Sequence, residues 1–157
     1  KIQYFKKKFY QSSLHYYTMK LTKFQQQQCL NFMDELSKKA ISKPFSQDLS
    51  LTFGLTEPKN TYLKNPLDLS EIRQKINDKK YRTIQDWECD VRLVFDNAIA
   101  LLNSSSPIFA MAKDLQKWVD KKLSTFPRSE YDLWLIQFNK AHAKLQELVD
   151  SFPLPKK

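Results

Sequence analysis

Cys29, Cys89, His15 and His142 are the side chains best suited to metal binding or nucleophilic chemistry, and their spacing serves neither. Neither histidine has a Cys or a second His at ligand spacing, so no metal site is expected. Both cysteines fall in helical patterns, where a free thiol behaves as a small buried apolar group, and no disulfide framework is expected. Ser104, Ser105 and Ser106 read as loop and cap residues rather than nucleophiles. There is no Gly-rich phosphate loop and no nucleophile–base pair at a recognisable spacing. The chain is therefore expected to be a non-enzyme with no cofactor and no catalytic residue.

The remaining chemistry is recognition. Net charge is +9, and it is uneven. Residues 1–33 hold Lys1, Lys6, Lys7, Lys8, Lys20 and Lys23 and no acid. The rest of the chain carries 20 basic and 17 acidic groups, so the asymmetry belongs to an N-terminal arm, residues 1–20. Tyr4, Phe5, Phe9, Tyr10, Tyr16 and Tyr17 interleave with those lysines. Such a segment can bind nucleic acid through phosphate charge and stacking. It can also be a solvated arm whose aromatics pack on the domain.

The elements that must position any site are helical. A single Gly among 157 residues, with 13% aromatics, fits helices joined by loops rather than hairpins. Thr22-Lys23-Phe24-Gln25 has the form of a capping box. Cys29, Met33, Leu36 and Ala40 follow on one helical face, and this helix should end before Pro44. From Pro44 to Pro66 no period holds, and the apolar load there predicts an ordered loop. A short helix is expected over about Leu69–Lys79, burying Ile72 and Ile76. The next opens at Thr83 with the stripe Trp87, Val91, Val94, Phe95, Ala98 and Leu102. Ser106-Pro107 predicts an N-cap followed by Pro at N1. Met111, Leu115, Trp118 and Leu123 are the expected inner face of that helix, which ends at Phe126-Pro127. Ser129-Glu130-Tyr131-Asp132 opens a last helix striped by Tyr131, Leu135, Phe138, His142, Leu145 and Val149 and widened by Trp134, Ala141 and Leu148. It should pack against the bundle or against a partner, docked through Tyr131, Leu135, Phe138 and Leu145, with His142 structural. No apolar run spans a bilayer, no signal-peptide pattern is read, and a reducing intracellular compartment is the default.

Lys43-Pro44-Phe45, Asn65-Pro66-Leu67-Asp68-Leu69, Lys80-Tyr81 and Asp90-Val91-Arg92-Leu93-Val94-Phe95-Asp96-Asn97-Ala98 together resemble the bromodomain pattern. The likeness covers about residues 22–126 and runs without a gap from Pro44 to Ala112. It implies an all-α fold. This is a left-handed antiparallel four-helix bundle over residues 21–127, with a long loop between its first two helices. An additional C-terminal helix, residues 128–157, follows.

The resemblance also implies an acetyl-lysine pocket. In it Phe45 is the shelf, Leu49 an apolar wall and Ile108 the gatekeeper, with Leu55, Lys59 and Asn60 from the loop. The family's anchoring Asn, whose amide donates to the acetyl carbonyl, falls at Leu102. Its preceding Tyr falls at Leu101, and the loop tyrosine that holds a bound water falls at Lys59. Asn103 lies one residue on. A straight helix would turn it about 100° away, and Asn103 then reads as a helix C-terminal residue; the alternative is a bulge near the helix end that brings it inward.

Two functions follow as expectations. One is a nuclear, chromatin-associated reader in transcription regulation, with weak or altered recognition of acetylated histone tails. The other is a bromodomain-like scaffold that does not bind acetyl-lysine. It would act by protein–protein or DNA contacts beside other subunits of a chromatin complex. No membrane partner is expected.

Overall fold

The computed structural model describes residues 20–47 and 65–152. Every regular element among them is helical: α1 (Lys23–Ser37), a 3-10 helix (Ala40–Phe45), α2 (Leu69–Asn77), α3 (Ile84–Leu101), α4 (Pro107–Leu123) and α5 (Glu130–Ser151). The chain divides at Thr125/Phe126 into two compact units. The N-terminal arm up to Met19 and the segment 48–64 lie outside the described residues, with the expectations made for them.

Local chemistry sets most of the helix starts. Thr22, Asp68, Thr83 and Ser129 each accept from the third helical N–H, and the side chain three residues on returns the bond. Two orphan donors are satisfied at each of these four starts. Ser106 precedes Pro107 at N1 as expected, but its side chain makes no cap hydrogen bond. Here proline supplies the start by its fixed φ. α2 ends at Asn77 with Asp78 as its C-cap, and the next residue, Lys79, has a left-handed φ of 55°. Lys79 N donates to Ile76 O at 3.0 Å and Lys80 N to Lys75 O at 2.9 Å. This Schellman pairing is the usual job of Gly.

The first unit is built around α3. Trp87, Val91, Val94, Phe95 and Ala98 are wholly buried, joined by Ile72 and Ile76 of α2 and by Cys29 and Leu36 of α1. Phe32 of α1 meets Trp87 edge-on at 5.1 Å. Three expected faces are corrected. α1 stops at Ser37, so Ala40 lies in the 3-10 helix and is exposed, and Phe32 shares the buried face instead. Leu102 caps α3 in an extended conformation and does not continue its stripe. In α4 the buried residues are Ala112, Leu115, Val119 and Leu123, with Met111 and Trp118 at the margin. Trp118 is held there by cations, with Lys39 Nζ 4.6 Å and Lys122 Nζ 5.6 Å from its ring. Cys29 is buried as expected, but Cys89 is exposed.

Between helices, Arg73 pairs with Asp34 at 2.5 Å, Arg92 with Asp120 at 2.9 Å and Lys122 with Glu35 at 2.6 Å. All are largely solvated, so they set orientation more than stability.

The second unit is α5. Taken by itself, the unit offers its one helix no second layer to cover the stripe, and none of the helix's residues is buried. The burial expected for Tyr131, Leu135, Phe138 and Leu145 is therefore absent within this unit.

Candidate functional site at the α3–α4 turn

Five of the nine proposed pocket residues fall in described structure: Phe45, Leu101, Leu102, Asn103 and Ile108. Leu49, Leu55, Lys59 and Asn60 fall in the segment 48–64. α3 and α4 pack along each other, and the turn between them carries four of the five. Leu101 is the last residue of α3 and is half-buried. Leu102 follows with φ −98° and ψ 146°, half-buried, its N–H donating to Ala98 O at 3.1 Å. The helix ends there because an extended ψ cannot continue the i→i−4 ladder.

Asn103 is exposed. Its Oδ1 accepts from both the backbone N and the Oγ of Ser105, each at 3.1 Å. Its carbonyl accepts from Ser106 N at 2.9 Å. This is an Asx-type turn, in which a short amide replaces the lost helical bonds. α3 ends without a π-bulge, so nothing in its winding turns Asn103 inward. Ile108 is the second residue of α4 and is half-buried.

Phe45 ends the 3-10 helix and is fully buried. Its ring meets Phe95 of α3 at 5.4 Å and 68°, an edge-to-face pair of the favourable kind. Ser42 Oγ donates to Lys39 O at 2.7 Å, which tightens the turn that delivers it.

Ser46 and Asn65, on either side of positions 48–64, are each tied to a helix. On one side, Ser70 Oγ of α2 donates to Ser46 O. On the other, Asn97 Nδ2 of α3 donates to Asn65 O at 3.2 Å. Asn97 is one of the few buried polar residues, and its amide satisfies a chain that runs without helical bonds towards Asp68. Asp68 in turn accepts from Glu71 N at 2.8 Å and opens α2.

A second cluster joins α2 and α3. Asp90 Oδ2 accepts from the Tyr81 hydroxyl at 2.8 Å and pairs with Lys75 Nζ. Lys75 Nζ also lies 4.8 Å from the Tyr81 ring centroid. Burial, followed by the hydrogen bond to Asp90, pushes the Tyr81 phenol above its usual range. Burial beside the Glu88 carboxylate pushes the Cys29 thiol up to about 12. In the sequence Tyr81, Asp90 and Asn97 stand out only as matches to the bromodomain pattern. The signal was present for Asn97: an amide flanked by Phe95 and Ala98 on the buried stripe must find a partner. Among the described residues, no group of three or more His, Cys, Asp or Glu is placed to hold a metal.

A helical bundle whose α2 opens on a Pro-Leu-Asp-Leu turn and whose α3 is tied to the segment before it defines a class of small helical modules. A bromodomain family model matches residues 29–114. The chain belongs to the bromodomain family. An ankyrin repeat, bromo and BTB domain-containing protein of Dictyostelium discoideum is 34% identical over 104 residues, 65% of this chain and 13% of that protein. The SWR1 complex bromodomain subunit bdf1 of Schizosaccharomyces pombe is 29% identical over 106 residues, 68% of this chain and 18% of that protein. Among solved structures, the second bromodomain of Candida albicans Bdf1 in the unbound form superposes with a TM-score of 0.59 at 26% identity, covering 66% of this chain and 98% of that one. The chain thus spans less than a fifth of the length of the first curated relatives it matches.

Proposed function

We propose that this chain is a nuclear, chromatin-associated bromodomain module that recognises acetyl-lysine on histone tails weakly or in an altered way. One relative is a subunit of the SWR1 complex and another is the histone acetyltransferase GCN5 of Yarrowia lipolytica, 30% identical over 97 residues. The first name favours a module within a larger assembly; the second is an enzyme of which this chain matches only 20% of the length, and it supports a chromatin setting.

The carrying observation is the end of α3. Leu102 caps the helix with an aliphatic side chain, and the neighbouring Asn103 is exposed with its Oδ1 held by Ser105. In the gapless register, Leu102 takes the place of the amide donor. An acetyl carbonyl buried without a donor costs about 1–3 kcal/mol, roughly a ten- to hundredfold loss of affinity.

An acetylated-histone peptide array, with unmodified peptides as the control, tests this reading. Weak, acetyl-dependent signals are expected. Tight binding would overturn the altered-recognition reading. Signals indifferent to acetylation would favour the scaffold reading, in which the module works through DNA or protein contacts.

A further inference from the structure

We propose that α5 is a self-association helix, whose apolar seam packs against α5 of a second copy of this chain. Tyr131, Leu135, Phe138, His142, Leu145, Val149 and Phe152 follow one another in steps of 4, 3, 4, 3, 4 and 3. That is the 3.5-residue repeat that keeps one seam facing a partner helix. Trp134, Ala141 and Leu148 each stand one residue before a seam position and widen it on a single side. Of the charged residues, only Asp132 flanks the seam. Glu130, Lys140, Lys144, Glu147 and Asp150 all lie on the remaining positions. Burying the seam therefore desolvates no fixed charge, which is the costly part of most interfaces.

Within its own unit the seam is uncovered. Tyr131 is 65% exposed, Trp134 55%, Phe138 51% and Phe152 75%, with Leu145, Leu148 and Val149 also above half. Tyr131, Trp134, Phe138 and His142 stack in sequence, with centroids 6.1, 5.3 and 6.2 Å apart. A ring ladder fixed before association has less rotamer freedom left to lose.

The surface is large enough. An aromatic side chain carries on the order of 150–250 Å², so four at these exposures leave on the order of 500 Å² uncovered on one helix. Two copies reach about 1,000 Å² before any aliphatic residue is added, close to the roughly 1,200–2,000 Å² of a stable specific interface. A second copy brings an identical charge-free seam of identical length and period, which a two-fold axis makes self-complementary.

Sedimentation equilibrium of the full 157-residue chain tests the proposal. The expected result is a species of twice the 18.7 kDa chain mass that dissociates on dilution. Leu135→Ala with Leu145→Ala keeps helix propensity and should weaken association by about tenfold or more. Lys140→Ala, off the seam, should leave it unchanged, and circular dichroism reports whether each variant keeps its helix. A wild-type chain that stays monomeric, or a dimer indifferent to the double substitution, overturns the proposal. A monomer whose bundle melts lower with the double substitution also overturns it and assigns the seam to the chain's own bundle.

Discussion

The Tyr81 hydroxyl donates to Asp90 across 2.8 Å, and the same carboxylate oxygen holds Lys75 of α2. One acceptor thus fastens the loop after α2 to the middle of α3. Tyr81→Phe removes the donor and leaves the ion pair. A hydrogen bond to a charged group contributes about 1.5–3 kcal/mol, and the surviving Lys75 contact points to the lower end. Urea unfolding should show that loss with an unchanged slope.

Leu102→Asn should tighten acetyl-lysine peptide binding by about tenfold or more, by restoring the donor whose absence costs about 1–3 kcal/mol. Asn103→Ala should leave wild-type affinity where it is. Isothermal titration decides. Binding abolished by Asn103→Ala would make that residue the anchor and would refute the gapless placement of Leu102.

Lys79→Gly should stabilise the first unit by about 0.5–1 kcal/mol, since Gly adopts the left-handed conformation without the Cβ penalty. Lys79 is exposed, so no packing is lost. A lower melting temperature would mean that the side chain has a role beyond closing α2.

The two thiols should differ in reactivity. Cys89 should react with a thiol reagent in the native state, and Cys29 only on unfolding. Cys29 rises from 9.0 to about 12 in the native state, so the native fold keeps a proton that the unfolded chain releases. Its contribution to stability is complete below pH 9 and is lost as pH climbs towards about 12. Tyr81 acts in the same direction above 10. Melting temperature should therefore fall on the alkaline side, and less steeply in Cys29→Ala.

The lysine-rich arm should confer weak, sequence-independent DNA affinity that falls steeply with salt. Fluorescence anisotropy at matched salt compares the full chain with one starting at Met19. Equal affinities would remove the arm from any role in DNA binding.

Helix starts were legible because they are local. Thr22, Thr83 and Ser129 carry their partners three residues away, and a single sequence displays such spacing. The stripe of α3 was legible as far as Ala98, because large apolar residues recur there without competition. The inner face of α4 was misread by one position. Met111 and Trp118 outweigh Ala112 and Val119 in bulk, yet the smaller residues fit the close packing on α3, and Trp118 serves better at the edge beneath two lysines. The Lys75–Tyr81–Asp90 cluster and the Asn97–Asn65 tie were not legible as contacts. Their members lie on different elements, and a period within one helix carries no information about what stands opposite. For the candidate site, the sequence located Leu101, Leu102, Asn103 and Ile108 around one turn, but not the Ser105 bonds that hold Asn103.

Ser70 of α2 and Asn97 of α3 each donate to a backbone carbonyl, those of Ser46 and Asn65. Every residue type carries a backbone carbonyl, so the acceptor survives any substitution at positions 46 and 65, whereas the donor belongs to one side chain. Inheritance is therefore permissive at 46 and 65 and strict at 70 and 97, although each pair shares a single bond.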